Sequence, residues 1–230
     1  MNAVTSSFKE KLECLQAQID AAAKKGGRSL KDVTLVAVTK GVPAEVILQA
    51  TAAGVRVLGE NKVQEAEAKI PQLEAGLEWH MIGHLQTNKV KTALSLFNFI
   101  QSVDSVRLAK AIENESAQLN KTASVLLEIN ISGEAQKYGF KPEEVYTAIE
   151  EIAEMPHLKV LGLMGIGPNG VTDEVKRESF KKLRNVFSVC KALKRENLEM
   201  RYLSMGMSDD FKIAVEEGSN MVRIGRALFK

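Results

Sequence analysis

The strongest constraint on the fold is an alternation of short apolar, β-branched runs with amphipathic helical stretches along the chain. Eight such runs occur, at 35–40, 55–58, 79–82, 97–103, 124–131, 158–166, 200–204 and 220–224. Strands that alternate with helices form parallel sheets, either open and doubly wound or closed into a barrel. The count of eight, in 230 residues without a linker-like stretch, predicts an α/β fold of the (β/α)8 TIM-barrel type, with residues 1–230 as a single domain.

A helix precedes the first of these strands, and the last strand lacks a full helix after it. Ser7 and Glu10 form a capping-box pattern at the start of the first helix, and Gly26 marks its end. Its apolar stripe comprises Phe8, Leu12, Leu15 and Ile19. Because only six residues follow the eighth run, we expect a truncated eighth helix and an N-terminal helix that covers part of the gap. Asp104 and Ser208 are expected to cap the helices after the fourth and seventh strands.

The overall charge argues against several classes of partner. Lys and Arg total 31 against 29 Asp and Glu, so the net charge of +2 creates no field that favours nucleic acid or a membrane surface. No stretch approaches a membrane span, and the N-terminus lacks the apolar core of a signal peptide. We therefore expect a cytoplasmic protein in which Cys14 and Cys190 are free residues on helices.

Polar side chains are concentrated where the predicted strands end, which is the face of such a barrel that carries its chemistry. These positions hold Lys40, Asn61, His84, Asn130, Ser204 and Arg223. A lysine amine that is removed from water becomes a nucleophile able to form a Schiff base with a carbonyl group. A lysine at a strand end is also commonly a solvated terminus, so the position of Lys40 alone leaves both interpretations open.

The ends of the seventh and eighth strands have the composition of a phosphate site. They read Ser-Met-Gly-Met-Ser-Asp-Asp at 204–210 and Arg-Ile-Gly-Arg at 223–226. Glycines let backbone N–H groups approach an anion, and the loops after strands 7 and 8 commonly bind phosphate in this fold. Since barrel closure places strand 8 beside strand 1, Lys40 and this site share one mouth. The predicted ligand is a phosphorylated aldehyde, either pyridoxal 5′-phosphate (PLP) or the phosphosugar of a class I aldolase. A tight turn at Ser204 and a surface ion pair at Arg223 are the alternatives.

His80 and His84 are four residues apart, a spacing that suits a metal when both residues lie on one helix. The residues between them read as a strand end instead, which would not bring the two rings to one face. No metal site is predicted.

Six stretches resemble a known family, in the right order over nearly the whole chain. They are Leu-Val-Ala-Val-Thr-Lys at 35–40, Gly-Glu-Asn-Lys-Val-Gln-Glu at 59–65, His-Met-Ile-Gly-His-Leu-Gln-Thr-Asn-Lys-Val-Lys at 80–91, Gly-Leu-Met-Gly-Ile at 162–166, Leu-Ser-Met-Gly-Met-Ser-Asp-Asp at 203–210 and Gly-Ser-Asn-Met-Val-Arg-Ile-Gly at 218–225. Together they resemble the pyridoxal phosphate homeostasis protein family, of the YggS/PROSC type. That family is similar to the N-terminal barrel of alanine racemase and belongs to the fold-type III PLP proteins.

The resemblance implies how the cofactor is held. Lys40 would carry PLP as an internal aldimine, and Ser204 with the backbone amides of Gly225 and Arg226 would hold the phosphate. Family members often have a small hydroxyl residue where this chain has Arg226, so a hydroxyl contact is lost and a cation is gained.

The resemblance also implies roles around the cofactor ring. Arg223 would face the pyridine nitrogen and Asn61 would lie near the ring. An arginine there keeps the nitrogen unprotonated, because protonation would force two positive charges together, and the ring becomes a weaker electron sink. No residue is assigned a catalytic role.

The function implied is that of an intracellular PLP carrier in vitamin B6 homeostasis, acting as a monomer, with apo PLP-dependent enzymes as candidate recipients. The alternative is a PLP-dependent enzyme such as an amino-acid racemase. Racemases use a tyrosine base from a second domain, and none of Tyr138, Tyr146 and Tyr202 lies in a matching motif.

Overall fold

The computed structural model describes residues 3–134 and 136–230, with side chains from Phe8 onward, and shows a closed barrel of parallel strands in the order β1 to β8. The strands are β1 Thr34–Val38, β2 Val57–Glu60, β3 Glu78–Met81, β4 Phe99–Val103, β5 Ala123–Ile129, β6 Leu158–Gly165, β7 Leu198–Ser204 and β8 Met221–Ile224. β8 pairs with β1 from Thr34↔Met221 to Ala37↔Ile224. This pairing closes the sheet, so the predicted (β/α)8 barrel is confirmed over the open doubly wound alternative.

A helix follows each strand. These helices are α2 Ala44–Ala52, α3 Val63–Lys69, α4 Val90–Leu96, α5 Val106–Gln118, α6 Val145–Ala153, α7 Asp173–Ala192, α8 Phe211–Glu216 and α9 Arg226–Phe229. The helix after the eighth strand, α9, is a single turn, so the expected truncated helix is confirmed.

The N-terminal helix α1, Ala3–Lys25, packs against α8, α2 and α9, so it covers the flank that the short α9 leaves open. The ring of Phe8 meets that of Phe229 edge-on, with centroids 6.0 Å apart. The expected role of this helix is confirmed. The capping box expected at Ser7 is wrong, because the helix already begins at Ala3 and Ser7 lies inside it.

Two further predicted caps are also wrong. Ser105 is the N-cap of α5, and its Oγ accepts a hydrogen bond from the Leu108 N–H at 3.3 Å. Asp104 turns instead to His84, with 2.7 Å between Oδ2 and Nδ1. The N-cap position of α8 is Asp210 rather than Ser208.

Two apolar layers surround the strands. The larger lies between the sheet and the helices, and it includes the buried Cys190, while Cys14 is exposed on α1 and both thiols are free. The smaller fills the inside of the barrel with Val36, Phe99, Leu126, Leu161, Met164 and Met221. Because side chains alternate along a strand, Lys40 is on the same side of the chain as Val36 and faces the barrel mouth.

Within the described ranges, no helix combines the length and the apolar character that crossing a bilayer requires.

Candidate functional site

Lys40 lies two residues beyond the end of β1 and is exposed. No hydrogen bond or ion pair occupies its amine among the residues that the structure describes. The register Ala37↔Ile224 places Val38 beside Gly225, where a Cβ added to the glycine would lie 3.4 Å from the Val38 carbonyl oxygen. The lysine and the Gly225–Arg226 turn therefore lie at neighbouring strand ends, as barrel closure requires.

Arg223 and Ser204 meet inside the barrel, below the mouth. Arg223 is 4% exposed, and its guanidinium donates from Nη1 to Ser204 Oγ at 2.6 Å and from Nη2 to the Gly165 carbonyl at 2.9 Å. Ser204 is fully buried and donates in turn to Gln101 Oε1 at 2.7 Å. The surface ion pair considered for Arg223 is excluded, because a buried neutral hydroxyl and a carbonyl hold this guanidinium.

The hydrogen bonds continue through the barrel to its opposite end. Gln101 Nε2 lies 2.7 Å from His80 Nδ1, and His80 Nε2 lies 2.8 Å from Glu78 Oε1. Gln101 and His80 are buried, whereas the Glu78 side chain is half exposed. No local sequence pattern indicated this chain of hydrogen bonds, because it joins β3 and β4 to β7 and β8 through Gln101 and Ser204, which are 103 residues apart.

Burial dominates the electrostatics around Arg223. Burial lowers the pKa of Arg223 to about 10, against the opposing effect of Glu128 and Asp210, so the guanidinium stays charged at neutral pH. Burial raises the pKa of Glu128 to about 7, and burial likewise raises the pKa of Asp210. The floor of the mouth thus holds one fixed cation with two carboxyl groups that resist ionisation.

The other predicted site residues, Arg226, Asn61 and Asn130, differ in exposure and in hydrogen-bond partners. Arg226 turns outward and pairs with Asp209 on the rim, so its charge has a carboxylate partner. As the first residue of α9, Arg226 has a backbone N–H without an acceptor in its own helix.

Asn61 is partly buried, and its N–H donates to Glu60 Oε2 at 2.9 Å. Asn130 binds its own loop, with Nδ2 donating to the Glu134 carbonyl at 2.9 Å.

The two histidines point to different places. His80 lies in the barrel interior, while His84 stacks on Tyr138 at the mouth with ring centroids 3.8 Å apart. His84 and Tyr138 border a cavity of about 650 Å³ together with Asp104 and Arg107. In the described part of the chain, no group of three or more His, Cys, Asp and Glu side chains is arranged to hold a metal ion.

Two groups of residues near the mouth were not predicted from the sequence. Ser208 is partly exposed at the mouth, and its Oγ accepts a hydrogen bond from the Ala227 N–H at 3.3 Å. Glu60, Glu65 and Lys69 bind the residues on both sides of Lys40: Glu60 accepts from the Thr39 hydroxyl, Lys69 donates to the Thr39 carbonyl, and Glu65 accepts from the Gly41 N–H. The i, i+4 spacing of Glu65 and Lys69 was the available signal, although it more commonly marks a solvated helix face.

This donor set suits a phosphorylated aldehyde. The mouth presents an accessible primary amine, a buried cation, a partly exposed hydroxyl and a backbone N–H at the start of α9. An amine attacks an aldehyde, while amides and hydroxyls bind phosphate oxygens.

Comparisons with known proteins agree with this chemistry. The family model described as alanine racemase, N-terminal domain, matches residues 11–230. A curated relative from Aquifex aeolicus, named pyridoxal phosphate homeostasis protein, is 41% identical over 222 residues, which cover 96% of each chain. A solved structure of PipY from Synechococcus elongatus with PLP bound is 32% identical, with a TM-score of 0.85, and the match covers 97% of this chain and all of that one.

A more distant likeness concerns the fold alone. Alanine racemase from Clostridium difficile is 17% identical, with a TM-score of 0.65 over 86% of this chain and 51% of the racemase. The two proteins share the barrel, and about half of the racemase has no counterpart in the matched region.

Proposed function

This chain belongs to the pyridoxal phosphate homeostasis protein family, within the wider alanine racemase N-terminal domain family, and from that membership we propose that it binds PLP and takes part in intracellular PLP (vitamin B6) homeostasis. The observation that carries the proposal is the exposed amine of Lys40 on the barrel mouth, which has no partner among the described residues and lies beside the strand end that carries Arg223.

Lys40 is the point of covalent attachment. When bound, PLP supplies an aldehyde and an aromatic ring that accepts electrons. The backbone amides of Gly225 and Arg226 bind the phosphate, and Asn61 borders the ring. Arg226 contributes through its backbone, since its side chain is paired with Asp209.

Ser204 is proposed as a phosphate contact, with a condition that the structure adds. Its only O–H already donates to Gln101 while its oxygen accepts from Arg223, so donation to a phosphate oxygen requires the hydroxyl to leave Gln101. Ser208 offers a second hydroxyl that already lies near the start of α9. Substitution of each serine in turn separates the two contacts.

The charge of Arg223 favours a role in binding the cofactor over a role in catalysis with it. A guanidinium that remains charged at neutral pH disfavours a proton on a nitrogen that faces it. The ring then withdraws electrons less strongly, and carbanions next to it are stabilised less. We therefore assign no catalytic residue to the chain.

The central experiment is an absorbance titration with PLP, followed by borohydride reduction and peptide mass spectrometry. The wild-type protein should develop the absorbance of a PLP–lysine adduct, and the reduced label should map to Lys40. Lys40→Ala should lose both signals, while Lys62→Ala, which removes another exposed lysine close to Asn61, should keep them. A wild-type protein that PLP does not label would refute the proposal.

A second candidate is a PLP-dependent amino-acid racemase, which the shared barrel with alanine racemase supports. Two-base racemisation needs a base on each face of the substrate, and Lys40 supplies only one. Racemisation of several amino acids at high protein concentration tests it. Robust turnover that is lost in Lys40→Ala would favour the enzyme over the carrier.

We also propose that the protein acts as a cytoplasmic monomer that passes PLP to apo enzymes, since the exposed Lys40 leaves the attachment point accessible. Light scattering tests the monomer. Activation of an apo enzyme by the loaded protein, faster than PLP release into solution allows, tests direct delivery; equal rates would contradict it.

A further inference from the structure

In the part of the chain that the structure describes, the amine of Lys40 has no partner, yet the backbone on both sides of this residue is held by hydrogen bonds. Thr39 is fully buried, and its N–H donates to the Gly59 carbonyl at 2.9 Å. Its Oγ1 donates to Glu60 Oε1 at 2.9 Å. These bonds fix the residue before the lysine to β2.

The residue after the lysine is held by α3. The N–H of Gly41 donates to Glu65 Oε2 at 3.1 Å. Gly41 has a φ of +66°, a left-handed conformation that turns the chain sharply after Lys40. The same hydrogen bond is the largest cause of the lowered pKa of Glu65, so the carboxylate is charged when it makes this contact.

Lys69 connects the contacts of Thr39 with those of Gly41. Its ammonium donates to the Thr39 carbonyl at 2.8 Å, to Glu60 Oε1 at 2.5 Å and to Glu65 Oε2 at 3.2 Å. An ammonium group has three N–H donors, so all of them are used. Glu60 is fully buried and the Lys69 side chain is 12% exposed, so water competes little for these contacts.

We propose that Glu60, Glu65 and Lys69 are positioning residues for Lys40, which hold residues 39 and 41 so that the amine is aimed at the aldehyde of the cofactor. The inference rests on the proposed function, because it assigns these residues a role in the same covalent step. In that step the neutral Lys40 nitrogen bonds to the aldehyde carbon, the aldehyde oxygen leaves as water, and a carbon–nitrogen double bond remains.

This arrangement acts on the rate of attachment more than on the fit of the phosphate. A reacting amine must approach the carbonyl carbon within a narrow range of distance and angle, and a displacement of about 1 Å lowers such rates by roughly a hundredfold. The phosphate contacts lie on the loops after β7 and β8, and none of the three positioning residues belongs to those loops.

Glu65→Ala is the decisive variant, because Glu65 is partly exposed and its removal leaves the buried Glu60–Lys69 pair intact. We expect the second-order rate constant for PLP attachment to fall by about tenfold to a hundredfold. The affinity for pyridoxine 5′-phosphate, which has an alcohol in place of the aldehyde, should stay at the wild-type value. The melting temperature of the cofactor-free protein shows whether the fold is preserved.

Two further variants separate position from charge. Glu67→Ala removes an exposed carboxylate from the same helix and should react like the wild type. Glu65→Gln keeps an oxygen that can accept from the Gly41 N–H and should recover most of the rate. A Glu65→Gln variant as slow as Glu65→Ala would overturn the inference, since the effect would then come from charge.

The roles of the buried residues Glu60 and Lys69 are tested with a double variant. Lys69→Met alone leaves Glu60 buried without its cation and endangers folding, so Glu60→Gln is combined with it. The double variant should attach PLP slowly while binding pyridoxine 5′-phosphate normally. Wild-type rates in Glu65→Ala and in the double variant would overturn the positioning role, whereas a wild-type protein that PLP does not label would refute the proposed function itself.

Discussion

Glu128 makes the stability of the protein depend on pH in a direction opposite to that of a salt-bridged carboxylate. It lies on β5 and is 7% exposed. Burial raises its pKa to about 7, with a smaller raising effect from Asp104 and a lowering effect from Arg223. In the described part of the chain, no ion pair joins its carboxylate to Arg223, so the attraction acts at longer range and does not offset the loss of water.

The size of the effect follows from the two pKa values. The folded protein binds the Glu128 proton with a pKa of about 7 against an ordinary value of 4.5. The stabilisation is therefore fully present below pH 4.5 and is lost as the pH rises through about 7. Each pKa unit corresponds to about 1.4 kcal/mol, so the full difference is about 3.4 kcal/mol. About 2.5 kcal/mol of it is lost between roughly pH 5 and pH 8.

Glu128→Gln removes this proton equilibrium with little change of shape. Urea unfolding of the cofactor-free protein, at about pH 5 and about pH 8, gives the free energy of unfolding for each form. Between these pH values the wild type should lose about 2.5 kcal/mol more than Glu128→Gln does. Glu67→Gln, a substitution of an exposed glutamate, should retain the wild-type pH dependence. An identical pH dependence in the wild type and Glu128→Gln would refute the argument that burial controls this carboxyl group.

The remaining predictions concern the two serines and the two cysteines. Ser204→Ala should lower the free energy of unfolding of the cofactor-free protein by about 1–3 kcal/mol, because the buried Arg223 loses an acceptor; an unchanged urea midpoint would contradict this. If Ser204 also contacts the phosphate, Ser204→Ala should weaken PLP binding by about 1.5–3 kcal/mol. Unchanged affinity would remove Ser204 from the phosphate site in favour of Ser208, whose contact Ser208→Ala then tests. Iodoacetamide at mildly alkaline pH should modify the exposed Cys14 and spare Cys190, because burial raises the pKa of the Cys190 thiol to about 11. Labelling of both cysteines in the native protein, detected by mass spectrometry, would contradict this.

The chain order of the strands and helices was readable from the sequence because it depends on local periodicity. Each predicted strand is present, although bounds moved by a few residues, as for β2, which spans Val57–Glu60 rather than 55–58. The caps were less predictable. Ser105 and Asp104 are adjacent and both suit an N-cap, and the contact of Asp104 with His84, from a different strand end, decides between them.

The sequence also determined which strand ends carry the candidate chemistry, since barrel closure follows from the count of eight and places β8 beside β1. It therefore indicated Lys40, Gly225 and Arg223 as residues of one mouth. The tertiary structure decided how far each side chain is buried and which partner it takes. Ser204 proved to be buried beneath the mouth, and Arg226 turned outward to Asp209.

The positioning of Lys40 was decided by the tertiary structure alone. Glu60 and Lys69 bind Thr39 across a separation of 21 and 30 residues along the chain. Hydrogen bonds of this kind depend on the distance between strand and helix and on the exclusion of water, neither of which periodicity encodes. The sequence by itself predicted where an amine could meet a phosphorylated aldehyde, and only the folded barrel decided which side chains hold the residues on either side of that lysine.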